Sequence, residues 1–360
     1  MIQKYENEET PPWDAASVNL ISKEMAPGVF AVMPDDVFTK DHVATTAGFV
    51  IGERSVLVVE AMLNGDLASQ LIGLIRKETS KPIRFLVNTS YHGDHAYGNY
   101  IFPDSTVIIH HPATKLYMDE KFEDDRRFML GLMGKGKGIE RVQSRSADIT
   151  VPDMISVDLG GRRVEIRHFG FAQTPGDLVI WTPDAKVLWV GNMIQAPSPA
   201  LPWLLEGRHR ETIETLTKVR DFLPEDATII PGHGRPMRPA DIDFPIRYLR
   251  ELDAAVSTAI TEGRSVEATI EAAGMSHYDE YSLFEWAHNS VNVPARPTNT
   301  YAICVPGARR ATHMAALARQ RFATFFSANC LLPLHNDDEL PAVVSFTKHW
   351  ERLRMSPPSW

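Results

Sequence analysis

The chain has 360 residues and 44% of them are apolar, which allows a substantial core and argues against disorder. Its formal charge of −9, with no basic stripe interleaved with aromatics, disfavours a nucleic-acid binder, and its two cysteines, Cys304 and Cys330, exclude a disulfide framework. No uninterrupted apolar run approaches the ~18 residues of a membrane span, and the start Met1-Ile2-Gln3-Lys4 lacks the pattern of a secretory leader, so a cytoplasmic protein is expected. Residues 1–24 are polar, carry Pro11 and Pro12, and read as an N-terminal arm. Short β runs follow at 29–33, 48–51 and 55–60, with turns such as Gly52-Glu53-Arg54 between them, as in consecutive antiparallel strands. Leu67, Leu71, Ile72, Leu74 and Ile75 predict an amphipathic helix over 66–78.

A strand is expected at 82–87, another at 106–110, and a helix from 112 to about 135. The helix breaks at Gly134-Lys135-Gly136-Lys137-Gly138, which lacks the Gly-Lys-Ser/Thr ending of a phosphate loop after a strand and predicts a flexible loop instead. A second series begins with strands at 155–159, 163–168, 178–181 and 187–190. A helix at 211–222, a strand at 227–230 and a long helix at 242–261 complete it. The order of strands and helices loosely repeats, which suits two sheets packed face to face with helices on their outer sides. The expected division is an arm (1–24), an α+β domain (25–262), and a helical extension with a tail (263–360). The tail holds both cysteines and Arg309, Arg310, Arg319 and Arg321, without an amphipathic period, and no chemistry is assigned to it.

The richest stretch is Asn88-Thr89-Ser90-Tyr91-His92-Gly93-Asp94-His95, which directly follows the apolar run 83–87. Two imidazoles and a carboxylate at His92, Asp94 and His95 are costly to bury without a partner, and a divalent cation is one such partner. The alternative is a polar loop capping a strand, with Asp94 accepting backbone hydrogen bonds. Three later segments also put polar groups beside strands: Gly170-Phe171-Ala172-Gln173-Thr174-Pro175-Gly176-Asp177, Val187-Leu188-Trp189-Val190-Gly191-Asn192, and Ile229-Ile230-Pro231-Gly232-His233-Gly234.

In this order the four segments resemble the motifs of the metallo-β-lactamase superfamily, over roughly residues 25–260. The resemblance implies an α+β fold, a four-layer αββα sandwich with extra C-terminal helices, and metal ions at one edge of the sheets. Against the family pattern, Ser90 and Gln173 replace histidines, Asn192 replaces the aspartate that bridges two metals, and Glu60 replaces an aspartate after an early strand. Of one family metal site only His92 remains, whereas the other is complete as Asp94, His95 and His233. Serine and glutamine are weak neutral ligands beside imidazole, and losing a bridging carboxylate removes charge that would offset two dications. One catalytic Zn²⁺ held by Asp94, His95 and His233 is therefore expected, with Ser90, His92 and Gln173 as a polar wall and Asn192 as a further ligand or a donor to substrate.

Within the superfamily, the combination Ser-x-His-x-Asp-His with Asn192 is similar to hydrolytic dehalogenases that act on chlorothalonil. That implies zinc-activated hydroxide replacing an aryl chlorine, with Asp94, His92, Ser90 and Asn192 as catalytic candidates. Phe171, Met193, Trp203 and Gln173 are the expected substrate contacts, because 192–205 is apolar and proline-stiffened and suits a flat aromatic molecule, although loop-to-core packing explains it equally well. That segment lacks a lysine or arginine for an anionic substrate. The alternatives are a lactonase, esterase or β-lactamase-type hydrolase, and a metal-free ligand-binding scaffold. A small apolar or aromatic substrate, a homodimer through the helices near 112–135 or 242–261, and no nucleic-acid or membrane partner complete the expectations.

Overall fold

Successive side chains of an extended run point to opposite faces. Along Val29–Pro34 this sends Val29, Ala31 and Met33 into one core and Phe30 and Val32 into another in the computed structural model. Residues 16–37, 44–195, 201–204 and 206–281 are described, with Phe284, Ala287, His288, Asn292 and Val293. Residues 1–15 of the expected arm, the proline-rich 196–200, and the tail with both cysteines and its arginines lie outside the described residues.

The first sheet contains β1 (Leu20–Ala26), β2 (Val29–Pro34), β3 (Ala47–Ile51), β4 (Val56–Val59), β5 (Ile83–Val87), β6 (Val107–His110) and β7 (Ile149–Thr150), side by side in chain order. Pairing is antiparallel from β1 to β4 and parallel from β4 to β7. Parallel neighbours need crossovers. Here they are α1 (Gly65–Glu78), the single turn α2 (Gly93–Ala96), and α3 (Pro112–Met133). The second sheet, ordered β12-β11-β10-β9-β8, contains β8 (Met154–Asp158), β9 (Arg163–Arg167), β10 (Val179–Thr182), β11 (Val187–Gln195) and β12 (Thr228–His233). Its one parallel pair, β11 with β12, is bridged by α4 (His209–Phe222). α5 (Asp243–Thr261) and α6 (Val266–Ala272) follow.

Three cores separate four layers. Between the sheets lie Leu57, Val59, Val87 and Ile109 from the first and Val164, Ile166, Ile180, Trp189 and Ile230 from the second. Val58 and Leu86 face outward onto Leu67, Leu71 and Ile75 of α1 and Met118 and Phe122 of α3. Trp181, Leu188 and Val190 face the other way onto Leu216 and Val219 of α4 and Leu249 and Leu252 of α5. The expected αββα sandwich is thus the observed fold. Among the described residues no helix is long and apolar enough to cross a membrane.

Local sequence explains the helix starts. Asn64 caps α1 by accepting from the Leu67 N–H at 2.9 Å, and its amide also donates to the carbonyls of Ala16 and Lys137. The second of these bonds ties down the glycine-lysine loop that was expected to be free. Pro112 opens α3 after His111, whose Nδ1 accepts from the Ala113 N–H.

Several boundaries differ from expectation. β1 begins inside the proposed arm; its polar Ser22, Lys23 and Glu24 are tolerated because it is an edge strand paired only with β2. β7 has two exposed residues and no readable pattern. β11 and β12 run on to Gln195 and His233, through glycines and a proline that normally end strands, by breaking register around Gly191. Beyond α5, Ala273, Tyr278, Ala287 and Val293 join the core beneath α4 and α5.

Trp189 is 1% exposed between the sheets, and its indole N–H donates to the Ala47 carbonyl at 3.3 Å. Trp189→Ala is expected to cost about 3–5 kcal/mol, read as a lowered midpoint in urea unfolding.

Candidate metal centre

The chain leaves β4 through two non-glycine residues in the left-handed region, Glu60 at φ 67° and Met62 at φ 72°. Such backbone costs on the order of 1–3 kcal/mol per residue and persists where its surroundings demand it. What it achieves is to bury the Glu60 carboxylate under the first histidine-bearing loop. There Glu60 Oε1 accepts from the Thr89 hydroxyl at 2.5 Å and Oε2 from the Thr89 N–H at 3.2 Å. Its Oε1 also lies 3.0 Å from His95 Nδ1. Gly191, at φ 55°, makes room for this contact, since a Cβ there would sit 1.9 Å from the Thr89 hydroxyl oxygen.

The loop after β5 closes into α2, which presents Asp94 and His95 on consecutive residues. The turn is tight because the Tyr97 ring occupies the space of a residue-93 side chain: a Cβ on Gly93 would lie 2.3 Å from it. The His95 carbonyl is fixed by the Ala61 N–H at 2.7 Å and the Asn88 amide at 3.0 Å. His233, at the end of β12, is brought across by Thr45, which forms a β-bridge with it, and by the Thr46 N–H on the Gly232 carbonyl at 2.8 Å. The Thr45 hydroxyl lies 2.9 Å from Asp94 Oδ2 and 3.0 Å from the Asp94 carbonyl.

Asp94, His95 and His233 therefore converge, with ligand atoms all within 4.8 Å of one another. Asp94 Oδ2 is 3.1 Å from His95 Nε2 and 3.3 Å from His233 Nε2. Asn192 Oδ1 is 2.9 Å from His95 Nε2. Burial opposes ionisation of Asp94, yet the two imidazoles outweigh it and hold the carboxyl well below its usual range. Burial likewise disfavours a charged His95, and Asp94 and Glu60 outweigh it to push that imidazole well above the ordinary value. Without an ion, a protonated His95 donates to both carboxylates; when the ring is neutral with its proton on Nδ1 toward Glu60, its Nε2 is free to serve as a metal ligand beside Asp94 Oδ2.

The other half of the site is arranged differently. Asn192 donates from Nδ2 to His92 Nδ1 at 2.7 Å, so one amide spans both histidines. Burial, helped by the neighbouring His95 and His233, lowers His92 to about 4 against the pull of Asp94, which leaves its ring neutral at pH 7. Ser90 is buried and its Oγ accepts from the His92 N–H at 3.4 Å. Gln173 donates from its amide to the Trp203 carbonyl, while its Oε1 is buried without a hydrogen-bond partner among the described residues. Its backbone is pinned by Asp177, whose carboxylate accepts from the N–H groups of Ala172, Gln173 and Thr174 and from the Thr174 hydroxyl. Burial raises Asp177 to about 6 even against these donors.

The expected substrate wall is only partly placed at the site. The Trp203 ring packs 5.3 Å from that of His233. Phe171 is half-buried, with the Arg208 guanidinium 4.7 Å above its ring. Met193 is 1% exposed and packs into the core with α4 and α5, because β11 continues past Asn192 and turns it inward. It is not a wall residue. Glu60, Thr45 and Arg208 are contributors that the sequence reading left without a role. Only Glu60 carried a signal, as a carboxylate standing after an early strand.

A family profile, that of the metallo-β-lactamase superfamily, matches residues 41–233, more than half of the chain. The chain belongs to this superfamily. Among curated proteins it is similar to a linear primary-alkylsulfatase of a Pseudomonas strain, 22% identical over 216 residues, covering 51% of this chain but only 40% of that longer relative. Among solved structures it is similar to the DIM-1 metallo-β-lactamase, with a TM-score of 0.52 at 16% identity over 64% of this chain and 97% of that one. A metallo-β-lactamase from Pontibacter korlensis gives 0.51 at 13% identity over 64% and 99%. At such identities the structural matches speak for the fold alone.

The residues present fit a divalent ion. One carboxylate and two imidazoles from distant parts of the chain supply three donors, as in open zinc sites. A single dication also balances the two carboxylates, Asp94 and Glu60, that flank His95. Carboxylates behind ligating histidines typically contribute 10–100-fold in metal affinity. Glu60→Gln is therefore expected to raise the zinc dissociation constant about 10–100-fold, measured by competition with a chromogenic chelator.

Proposed function

We propose that this chain is a hydrolase working with one zinc ion, and that its substrate is a flat, electron-poor chlorinated aromatic such as chlorothalonil, from which water displaces chloride. The observation that carries a single ion is the contrast between the two halves of the site. Asp94, His95 and His233 converge on one point, whereas His92, Ser90 and Gln173 are engaged in hydrogen bonds inside the protein.

When bound, zinc would supply Lewis acidity, which lowers the pKa of a bound water toward about 7. The rest is done by side chains. Asp94, oriented by the Thr45 hydroxyl, accepts a hydrogen bond from the attacking water and aims it, and the proton that water loses as its oxygen joins the ring leaves to solvent. His92 receives a hydrogen bond at Nδ1, so the proton of its neutral ring sits on Nε2, from which it donates to the departing chloride or to a nitrile. The nitrile groups spread the negative charge of the addition intermediate, and loss of chloride restores the aromatic ring. The products are a phenol, chloride and a proton. The faces of Trp203 and Phe171 are apolar surfaces suited to a planar ring.

A second reading, hydrolysis of an ester with an anionic group, is favoured by Arg208 and by the similarity to an alkylsulfatase. The segment 192–205 has no cation of its own, but Arg208 stands over Phe171 and could meet a sulfate.

Metal analysis and product release decide between the readings. We expect one equivalent of zinc per chain and chloride release from chlorothalonil, and we expect Asp94→Ala to lose both. Two equivalents overturn the single-ion site. Sulfate release from dodecyl sulfate without chloride release selects the second reading. Turnover of lactones or nitrocefin alone selects a lactonase or β-lactamase-type enzyme, and a folded parent that binds no zinc selects a scaffold.

A further inference from the structure

Trp203 lies on a short strap, residues 201–204 and 206, that is pinned from three directions. The Gln173 amide donates to the Trp203 carbonyl. The Tyr91 hydroxyl donates to Glu206 Oε1 at 2.6 Å, and the Tyr91 ring stacks on Tyr117 with centroids 3.7 Å apart. The third hold comes from Asn292, which is fully buried and follows Trp203 by almost ninety positions. Its Oδ1 accepts from the Leu204 N–H at 2.8 Å, and its Nδ2 donates to the Pro202 carbonyl at 2.7 Å.

These two backbone groups flank Trp203, so the side chain of Asn292 does for the strap what a neighbouring strand would do. The same Nδ2 donates to the Tyr248 hydroxyl at 2.8 Å, and that hydroxyl lies 3.0 Å from His288 Nδ1. Tyr248 is buried in the second turn of α5. The amide of Asn292 is thereby fixed to the helical layer before it reaches the strap. Leu201 and Leu204 anchor the strap in the same core, which leaves the Trp203 ring against His233.

We propose that Asn292 is a positioning residue for substrate recognition: by holding the backbone on both sides of Trp203, it sets the indole against His233 and so fixes the aromatic wall of the site. The role rests on reading Trp203 as a substrate wall of a hydrolase, and two separate measurements keep the parts distinct. The first is amide hydrogen exchange over 201–204 in zinc-loaded protein. In Asn292→Ala the Leu204 amide is expected to exchange at least about tenfold faster, with zinc content unchanged. The second is the affinity for chlorothalonil, followed by quenching of tryptophan emission. It is expected to weaken about tenfold, with a smaller change in kcat for chloride release, as fits an oriented contact that has loosened.

Tyr248→Phe is the milder variant, since it removes one anchor of the Asn292 amide and leaves both bonds to the strap. An intermediate effect on exchange and affinity is expected. Unchanged exchange at Leu204 in both variants overturns the clamp. Faster exchange with unchanged affinity overturns its role in recognition. A parent that does not bind chlorothalonil removes the proposed substrate, while the exchange result still decides whether Asn292 holds the strap.

Discussion

The organising constraint is the placement of one buried imidazole between two carboxylates. His95 meets Glu60 at Nδ1 and Asp94 at Nε2, with almost no solvent at either contact. Two negative groups held this way demand positive charge, which is supplied by a protonated His95 or, with Asp94, His95 and His233 as donors, by a metal ion on the Nε2 side. Much of the nearby backbone can be read as the cost of that arrangement. Glu60 takes a left-handed conformation to point inward, Gly191 gives up a side chain to admit Thr89, and the turn at Gly93 folds against Tyr97 so that Asp94 and His95 face the same point.

The amides near this centre organise it without adding charge. Asn192 reaches His95 with its oxygen and His92 with its nitrogen, so its two ends assign different roles to two similar rings. One ring turns its Nε2 toward Asp94 Oδ2 and the Asn192 oxygen. The other is left as a neutral donor. Gln173 is likewise turned toward the strap. An ionised aspartate at 192 could not donate to His92.

Most of the fold was legible because β2, β4, β10 and β11 alternate cleanly between two cores and because α1, α4 and α5 carry a regular apolar face. What escaped had no local signal. β1 is half-exposed at an edge, and β7 is two residues long. Asp94 and His95 stood out because their residue types are costly to bury, and His233 joined them through the resemblance to the family motifs. Among the supports of this triad only Glu60 left a trace, as an acid after an early strand; Thr45, 49 positions before Asp94, left none, nor did the bonds of Asn292 to a strap 88–90 positions earlier. Met193 was misplaced for the opposite reason. Its neighbours looked like a loop, whereas β11 continued and carried it into the core.

The contacts of Thr45 and Thr46 with the end of β12 join the two sheets at the same rim where the triad meets. Asp94 and His95 belong to one half of the sandwich and His233 to the other, so the halves cannot part there without separating the donors. By mass action, an ion that binds only the joined form stabilises it by about 2.7 kcal/mol when present at 100 times its dissociation constant. Chelation would then act as a mechanical release, and resistance to proteolysis at this rim would track the free concentration of the ion.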